Sequence, residues 1–180
     1  MVSIQPSSEV RLDLVQLLPQ ELRDLAVEMG QAPYRGDQVF SWIHERRIVH
    51  IAAMTNLPAP FRDALETRAR ITNLALMSKQ ESGVDGTAKF LFEIPGKGFV
   101  ESVLITERDR RTACLSSQVG CALDCRFCAT GRMGFRANLT AAQIIDQLSQ
   151  LNQHAATHGE RVTNVATMGM GETLLNYENL

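Results

Sequence analysis

The spacing of hydrophobic residues changes near Ile71, and this change constrains the fold of the 180-residue chain more than any other feature. Before Ile71, apolar residues recur at intervals of three and four, which is typical of amphipathic helices. From Thr72 onward they alternate with polar residues, which is typical of strands. We therefore predict a small N-terminal helical accessory domain at residues 1–71 and a strand-rich part at residues 72–180.

Three short helices are predicted in the first part. One opens at Leu18-Pro19-Gln20-Glu21 and stops at Gly30, because proline favours the first turn of a helix and glycine its end. A second runs from about Asp37 through Ile43, after a turn at Tyr34-Arg35-Gly36. The third follows Pro58 and places on one side Phe61, Leu65 and Ala69.

Residues Thr72–Thr106 are predicted to form an antiparallel meander, because turn sequences bound each alternating stretch. The last strand, Phe99–Thr106, carries Glu101 on the same face as Phe99, Val103 and Ile105. An unpaired buried carboxylate costs several kcal/mol. From the pattern alone, Glu101 is therefore expected to be partly exposed or to form a salt bridge.

A strand, a loop, a helix and a further strand then follow. The strand Thr112–Ser117 leads into a cysteine-containing loop, and the last strand, Val162–Met168, ends at Gly169-Met170-Gly171-Glu172. This order predicts a βαβ unit with parallel strands, and hence an α/β fold. Because ligands bind at the C-terminal ends of such strands, the cysteine loop and Gly169–Glu172 are expected to meet at one edge. Thr140 is predicted to cap the intervening helix, whose inner stripe is Ile144, Ile145, Leu148 and Leu151.

Three cysteines, Cys121, Cys125 and Cys128, lie within eight residues, and Cys114 lies just upstream. In a reducing compartment such a cluster is more typical of metal binding or redox chemistry than of disulfides. An iron–sulfur cluster suits three thiolates, and its fourth iron would stay open to a small molecule. The alternatives are zinc with Cys114 as a fourth ligand, a disulfide, or the buried face of a helix.

Charge and hydropathy exclude two broad classes. The net charge of −2 argues against a broadly basic nucleic-acid binder. No apolar run of about 18 residues occurs, and residues 1–10 show no targeting signal, so we expect a cytoplasmic protein with no membrane partner.

The cysteine loop and its surroundings resemble a known family. A CxxxCxxC motif with an aromatic residue before the last cysteine, here Phe127, is the signature of radical S-adenosylmethionine enzymes. The wider sequence from Cys114 to Gly131 and the segment Met168–Glu172 resemble the RlmN-type dual-specificity RNA methyltransferases. So do Tyr34–Gln38 and Met54–Leu57 in the first part. That family methylates C2 of an adenosine in 23S rRNA and in tRNA.

The resemblance implies two cofactors. The matching residues Cys121, Cys125 and Cys128 would ligate a [4Fe–4S] cluster. The cluster's free iron would hold S-adenosylmethionine. The methionine amino group would be received by Gly171 and Glu172, and Phe127 is also assigned to cofactor binding.

The resemblance also implies two catalytic residues and the start of a partial (β/α) barrel. Glu101 matches the proton acceptor, and Cys114 matches a thiol that forms a transient disulfide with a methyl-carrying cysteine. The family places that methyl-carrying cysteine beyond the position of Leu180, so the 180-residue chain alone is expected to be inactive. Thr173 stands where family members usually have proline.

The implied partners are 23S rRNA, tRNA and an electron donor such as flavodoxin, with the protein acting as a monomer. Between residues 108 and 136, six arginines stand against two aspartates, a local charge of +4 that suits phosphate contacts. These arginines are Arg108, Arg110, Arg111, Arg126, Arg132 and Arg136. Two alternative functions remain at this point: a C8-adenosine rRNA methyltransferase of the antibiotic-resistance type, and a non-catalytic iron–sulfur or zinc fragment that binds RNA.

Overall fold

The computed structural model describes residues 11–180, so the N-terminal stretch predicted to lack a targeting signal lies outside the described residues. The chain divides into two compact units, one ending at Ile71 and the other comprising Thr72–Leu180. Among the described residues, no helix combines the length and the apolar character needed to cross a membrane.

The first unit contains three helices in the predicted regions. They are α1 (Pro19–Glu28), α2 (Tyr34–Phe40) and α3 (Ala59–Arg68), and two short parallel strands, β1 (Leu12–Asp13) and β2 (Ala69–Arg70), join its ends. Single 3₁₀ turns lie at Leu14–Gln16 and Ile51–Ala53, and a π turn at Ser41–Glu45 extends α2. The predicted turn at Tyr34–Gly36 is wrong, because Gly36 N–H donates to Pro33 O and the helix already begins there.

The motif residues of this unit hold its helices together. A Cβ atom on Gly36 would lie 2.4 Å from backbone atoms of Leu22 and Arg23, so glycine lets α1 and α2 pack backbone against backbone. Arg23 Nε then pairs with Asp37 Oδ1 at 2.7 Å. Met54 and Leu57 are buried in the core of the same unit. The stretches Tyr34–Gln38 and Met54–Leu57 therefore have a packing role in this unit.

The second unit is built on a mixed sheet. Its strands are β3 (Ala75–Glu81), β4 (Ala88–Ile94), β5 (Gly98–Glu107), β6 (Arg110–Cys114), β7 (Gln118–Val119), β8 (Ala137–Asn138) and β9 (Asn164–Ala166). Five of them form one sheet in the order β3-β4-β5-β6-β9, while β7 and β8 pair separately. The β3-to-β6 neighbours are antiparallel and β9 is parallel to β6. The predicted α/β class, with its parallel pair, is confirmed, although β9 is shorter than the expected strand Val162–Met168.

Helix α5 (Ala141–Thr157) covers one face of this sheet, and the four-residue helix α4 (Ala129–Arg132) precedes it. Thr140 Oγ1 accepts from Gln143 N–H, which is the predicted capping box. Three of the predicted inner residues pack in the core, but Ile145 does not, and Asp146 and Gln147 are buried instead. The core residues of this unit include Phe90, Phe92, Val100, Leu104, Ala113, Leu115, Leu139 and Leu151.

The opposite face of the sheet carries Glu101 and Cys114. Val100, Ser102 and Leu104 of β5 are buried, whereas Glu101 lies on the other face together with Val103. Val103 pairs directly with Cys114 of β6, so their side chains lie on that same face. The predicted grouping of Glu101 with apolar neighbours is therefore present, but on the half-exposed face and not in the core.

Candidate active site

A buried segment, Leu115–Gly120, connects the end of β6 to the cysteine loop. Its backbone is hydrogen-bonded to the end of β9 and to the stretch that follows it: Leu115 N–H donates to Ala166 O at 2.8 Å, and Gly169 N–H donates to Leu115 O at 2.9 Å. Ser117 N–H donates to Met170 O at 2.9 Å. The C-terminal ends of the two parallel strands thus meet as the sequence predicts.

The glycine loop, Gly169–Glu172, packs tightly on this buried segment. A Cβ atom on Gly169 would lie 2.7 Å from Leu115 O, and one on Gly171 would lie 2.5 Å from Gln118 Cβ. Gly171 also has a φ of +102°, which disfavours other residues. The two glycines therefore allow this loop to lie directly against the buried segment.

Glu172 lies at the end of the glycine loop and caps the final 3₁₀ turn, Thr173–Asn179. Its backbone N–H donates to Gln118 Oε1 at 2.8 Å, and its own Oε1 accepts from Leu174 N–H at 3.0 Å. The side chain is half-buried. The buried Gln118 therefore fixes the position of the candidate ligand Glu172.

Gln147 of α5 is a positioning residue that the sequence reasoning missed. Its side chain is fully buried, and Oε1 accepts from Ser102 Oγ at 2.6 Å and from Ser116 N–H at 2.9 Å. Its Nε2 donates to the carbonyl oxygens of Ser116 and Gln143, each at 3.1 Å. A glutamine among the apolar inner residues of a helix is the signal that could have revealed it.

Two further buried polar groups are Asn176, which bonds to the buried segment, and the hydroxyl of Ser117, which belongs to it. Asn176 Nδ2 donates to Ser117 O and to Leu139 O, both at 2.8 Å. Ser117 Oγ is buried and has no hydrogen-bond partner among the described residues. An unpaired buried hydroxyl is costly, so Ser117 is a candidate for contact with a bound group.

The cysteine loop, residues 121–128, is an irregular turn and not a helix, so the helix-face alternative is wrong. Within the described residues all four cysteines are free and half-buried. Cys128 N–H donates to Cys125 O at 2.9 Å, and a Cβ on Gly131 would lie 2.9 Å from Cys125 N. Phe127 points away from any packing and is 94% exposed.

The spacing of the thiols bears on the kind of centre that they could hold. Among residues 11–180, Glu81, His154 and His158 each offer a ligand atom, and these three atoms lie within 4.8 Å of one another. The loop cysteines do not form such a group. Sulfur ligands of one tetrahedral zinc ion lie about 3.8 Å apart, with Zn–S bonds of about 2.3 Å. The three loop thiols do not all lie within 4.8 Å of one another, so they would have to move closer together to bind a single zinc ion.

The two sulfur atoms with shifted acidity differ in their surroundings. Backbone hydrogen bonds from Gly131 and Thr130 lower the pKa of the Cys128 thiol from its ordinary value. Burial raises the pKa of the Cys114 thiol, and a backbone hydrogen bond from Met168 opposes that rise only in part. Cys128 is therefore the more readily ionised of the two.

This difference predicts unequal alkylation. At pH 7, in the absence of metal, we expect iodoacetamide to modify Cys128 at least about tenfold faster than Cys114, because the thiolate is the nucleophile. As the pH falls, the rate at Cys128 should persist to lower pH than the rate at Cys114. Cys128 lies in the tryptic peptide Phe127–Arg132, so the mass of that peptide gives its rate. Cys114 shares the peptide Thr112–Arg126 with Cys121 and Cys125, so its rate is measured from fragment ions that locate the modified cysteine. Equal rates in the folded chain would contradict the assignment, whereas equal rates in urea are expected.

Glu101 and Cys114 occupy adjacent strands. Since Val103 is paired with Cys114, Glu101 is its diagonal neighbour, at a separation of about 7–8 Å. Glu101 Oε1 lies 2.9 Å from Lys89 Nζ, and its side chain is 45% exposed, so the salt-bridged alternative holds. Its backbone also joins the glycine loop, since Glu101 N–H contacts Met170 Sδ at 3.3 Å and Ser116 Oγ donates to its carbonyl.

The predicted arginine patch is weaker than its formal charge. Arg110 pairs with Glu107 at 2.6 Å, and Arg111 is held by Glu160. Glu107 and Glu160 both lie outside residues 108–136, the stretch whose local charge is +4. Three exposed arginines lie in or after the cysteine loop: Arg126 within it, and Arg132 and Arg136 after it.

Comparison with solved structures first defines the class of protein. The chain superimposes on a radical SAM methyltransferase from Sphaerobacter thermophilus with a TM-score of 0.86 and 38% identity, covering 93% of this chain and 49% of that protein. The chain is therefore a homologue of radical SAM methyltransferases.

Sequence relatives make the assignment more specific. Residues 12–71 match the family described as the ribosomal RNA large subunit methyltransferase (RlmN) N-terminal domain. The chain is 46% identical to a probable dual-specificity RNA methyltransferase RlmN of Moorella thermoacetica, covering 93% of this chain and 49% of that protein. Against the Salinibacter ruber protein of the same description the identity is 43%, covering 96% of this chain and 48% of the relative. The chain is thus similar over most of its length to proteins described as RlmN, and it spans about half the length of the curated relatives it matches.

Proposed function

We propose that this chain supplies the cluster-binding part of a radical S-adenosylmethionine methyltransferase that modifies C2 of adenosine in 23S rRNA and tRNA. The proposal rests on one observation: the cysteine loop and the glycine loop are both attached to the same buried segment. The cysteine loop continues directly from the buried segment, and the glycine loop is hydrogen-bonded to that same segment.

Cys121, Cys125 and Cys128 are the residues that would hold a [4Fe–4S] cluster. Their donor set fits, because three free thiols on one loop leave one iron without a protein ligand. When bound, the cluster supplies the electron for reductive cleavage of S-adenosylmethionine. The backbone N–H groups at Thr130 and Gly131 favour the thiolate form of Cys128 that ligation requires.

Glu172 would bind the methionine ammonium of S-adenosylmethionine. One carboxylate oxygen already accepts from Leu174 N–H, which fixes the orientation of the group. The other oxygen remains for a charge-assisted hydrogen bond to the ammonium. Gly171 keeps this loop against Gln118, and Phe127 is exposed where a cofactor could pack against it.

The half-exposed face of the sheet would receive the adenine ring. Glu101 would accept a proton there, after its carboxylate leaves Lys89. Burial keeps the pKa of the Cys114 thiol high, so this thiol stays protonated until a partner sulfur is brought to it. Both roles require a substrate on the same face, opposite to α5.

The RNA partners would be held by electrostatic contacts. Arg126 in the cysteine loop and Arg132 and Arg136 after it are exposed and can bind phosphates. We assign the reaction to the cytoplasm, with a flavodoxin-type electron donor and a monomeric enzyme. A protein of the relatives' full length would carry the complete activity.

Anaerobic reconstitution of the chain with iron and sulfide tests the proposal. We expect about four irons per chain, and a change in the electron paramagnetic resonance spectrum of the reduced cluster when S-adenosylmethionine is added. Cys125→Ser should abolish cluster assembly, because it removes one of three ligands.

Cys114→Ser is the matched control and should leave assembly of the cluster intact. Loss of the cluster in that variant would show that Cys114 is a fourth ligand. Stoichiometric zinc without iron incorporation would overturn the proposal. A cluster whose spectrum does not respond to S-adenosylmethionine would support the non-catalytic iron–sulfur alternative.

A further inference from the structure

A second group of side chains that could ligate a metal ion lies on the face of the sheet that α5 covers. It lies where the end of β3 meets the end of α5, outside the buried segment and the cysteine loop. Glu81 is the last residue of β3 and pairs with the buried Ala88, so its side chain lies on the covered face. His154 lies in the last turn of α5, and His158 is the residue that ends that helix. Residues four apart on a helix lie on one side of it, so both imidazoles face the end of β3.

We propose that Glu81, His154 and His158 bind a divalent transition-metal ion that joins the edge strand β3 to the end of α5. Their ligand atoms all lie within 4.8 Å of one another. Two imidazole nitrogens and one carboxylate are a ligand set that zinc accepts, with water completing a tetrahedron. The proposal does not depend on the methyltransferase assignment, since Glu101 and Cys114 lie on the opposite face.

The distances suit ligands of a common ion better than direct hydrogen bonds. His154 Nε2 lies 3.6 Å from Glu81 Oε2, and His158 Nε2 lies 3.7 Å from Glu81 Oε1. Both separations exceed the range of a good hydrogen bond. Ligand atoms of a tetrahedral zinc ion, with bonds of about 2.0–2.1 Å, lie about 3.3 Å apart, so small side-chain movements would close the site.

The second nitrogen of His158 is already held as a metal-binding histidine requires. His158 Nδ1 lies 3.2 Å from His154 O, and a carbonyl oxygen can only accept a hydrogen bond. Nδ1 therefore carries a ring proton, which leaves Nε2, the nitrogen on the side of Glu81, as the atom that would bind the ion. A hydrogen bond from Nδ1 to a backbone carbonyl commonly fixes the orientation of a metal-bound imidazole.

Lys79 competes with the proposed ion. Its Nζ lies 3.4 Å from His154 Nδ1 and 3.3 Å from Glu81 Oε2. Because an ammonium only donates, this contact puts the ring proton of His154 on Nε2, the nitrogen that the ion needs. The Lys79 side chain is 39% exposed and can move into solvent, so its removal should strengthen metal binding.

The surroundings leave room for water beside the proposed ion. A cavity of about 270 Å³ adjoins the trio, and its wall includes the carboxylates of Asp85 and Glu160 with the guanidinium of Arg111. The imidazole of His154 also packs edge-on against Phe90, with ring centroids 5.3 Å apart, which fixes its position. The trio is thus partly preorganised.

The ion would protect an exposed edge. Every residue of β3 is exposed, and the strand has a neighbour on one side only, β4. Such edges are prone to pairing with other chains. A link from the end of β3 to α5 would hold the edge strand in register.

Zinc titration of the full 180-residue chain by calorimetry tests the site, with Cys121, Cys125 and Cys128 changed to serine so that the loop thiols cannot bind the ion. We expect one zinc per chain, and we expect His158→Ala and Glu81→Gln each to weaken binding at least about tenfold. Lys79→Met should strengthen binding several-fold. His50→Ala, which removes an exposed histidine of the first unit, should have no effect.

X-ray absorption of the zinc-loaded chain provides a readout that does not depend on the variants. It should show nitrogen and oxygen ligands with an imidazole scattering pattern. Binding that persists unchanged in both His158→Ala and Glu81→Gln would overturn the proposal, as would an absence of zinc binding. Weaker binding in Lys79→Met would contradict the competition that we infer.

Discussion

Replacing Gln147 by leucine is expected to lower the free energy of unfolding of the strand-rich unit by about 3–5 kcal/mol. The fully buried amide bonds both backbone groups of Ser116 and the hydroxyl of Ser102. Leucine has a similar size but cannot replace these bonds, so three buried polar groups lose their partner. Each unsatisfied group costs about 1–3 kcal/mol, and the added apolar burial offsets part of that sum.

Urea unfolding followed by far-ultraviolet circular dichroism measures the change. The single tryptophan, Trp42, lies in the other unit, so its fluorescence would not report unfolding of the strand-rich unit. Hydrogen exchange of the β5 and α5 amides would instead show that the loss of stability is in the strand-rich unit. Gln153→Leu is the matched control, since Gln153 is exposed on the same helix. A Gln147→Leu variant as stable as the Gln153→Leu variant would contradict the importance of this buried network.

Periodic features of the sequence were sufficient to predict the elements that carry the site. The capping pair Thr140 and Gln143 marks the start of α5, and the βαβ order requires the parallel pairing of β6 with β9. The meeting of the buried segment with the glycine loop follows from that topology. These predictions succeed because they depend on local spacing and on the handedness and edge rules of sheets.

The polar contacts inside the site could not be predicted in the same way. A sequence shows that Gln118 and Gln147 exist, but their partners Glu172 and Ser116 are many positions away. Bonds of that kind depend on how the loops pack, and the hydrophobic period carries no information about them. The same limit explains Ile145, which fits the helical stripe but lies outside the core that Asp146 and Gln147 enter.

For Glu101, the sequence pattern predicted the neighbouring side chains but not whether their face of the sheet is covered. The alternation of β5 places it correctly with Val103, but alternation does not say which face α5 covers. Because the core lies behind Val100 and Leu104, the face of Glu101 is half-exposed and Lys89 reaches it. The carboxylate is therefore accessible to a substrate, and it has both the partial exposure and the salt bridge that the sequence pattern left open.

Gly171→Ala is expected to displace Glu172 and to cost about 2–4 kcal/mol of unfolding free energy. Its Cβ would lie 2.5 Å from Gln118 Cβ and 2.8 Å from Gln118 N, and Gln118 is buried and cannot move aside. The φ of +102° adds backbone strain for any residue with a side chain. Because the loop must lift from the buried segment, the bond from Glu172 N–H to Gln118 Oε1 should break.

Two measurements separate this local effect from general destabilisation. Hydrogen exchange at the Glu172 amide should accelerate more than exchange in β4, and the reconstituted chain should lose its spectral response to S-adenosylmethionine while keeping its iron. Gly83→Ala is the matched control, because no atom lies within 4 Å of a Cβ there and its φ is not positive. If Gly171→Ala behaved like Gly83→Ala in both measurements, the glycine loop would not depend on its contact with Gln118. Retention of the spectral response despite a displaced Glu172 would instead remove Glu172 from the proposed cofactor site.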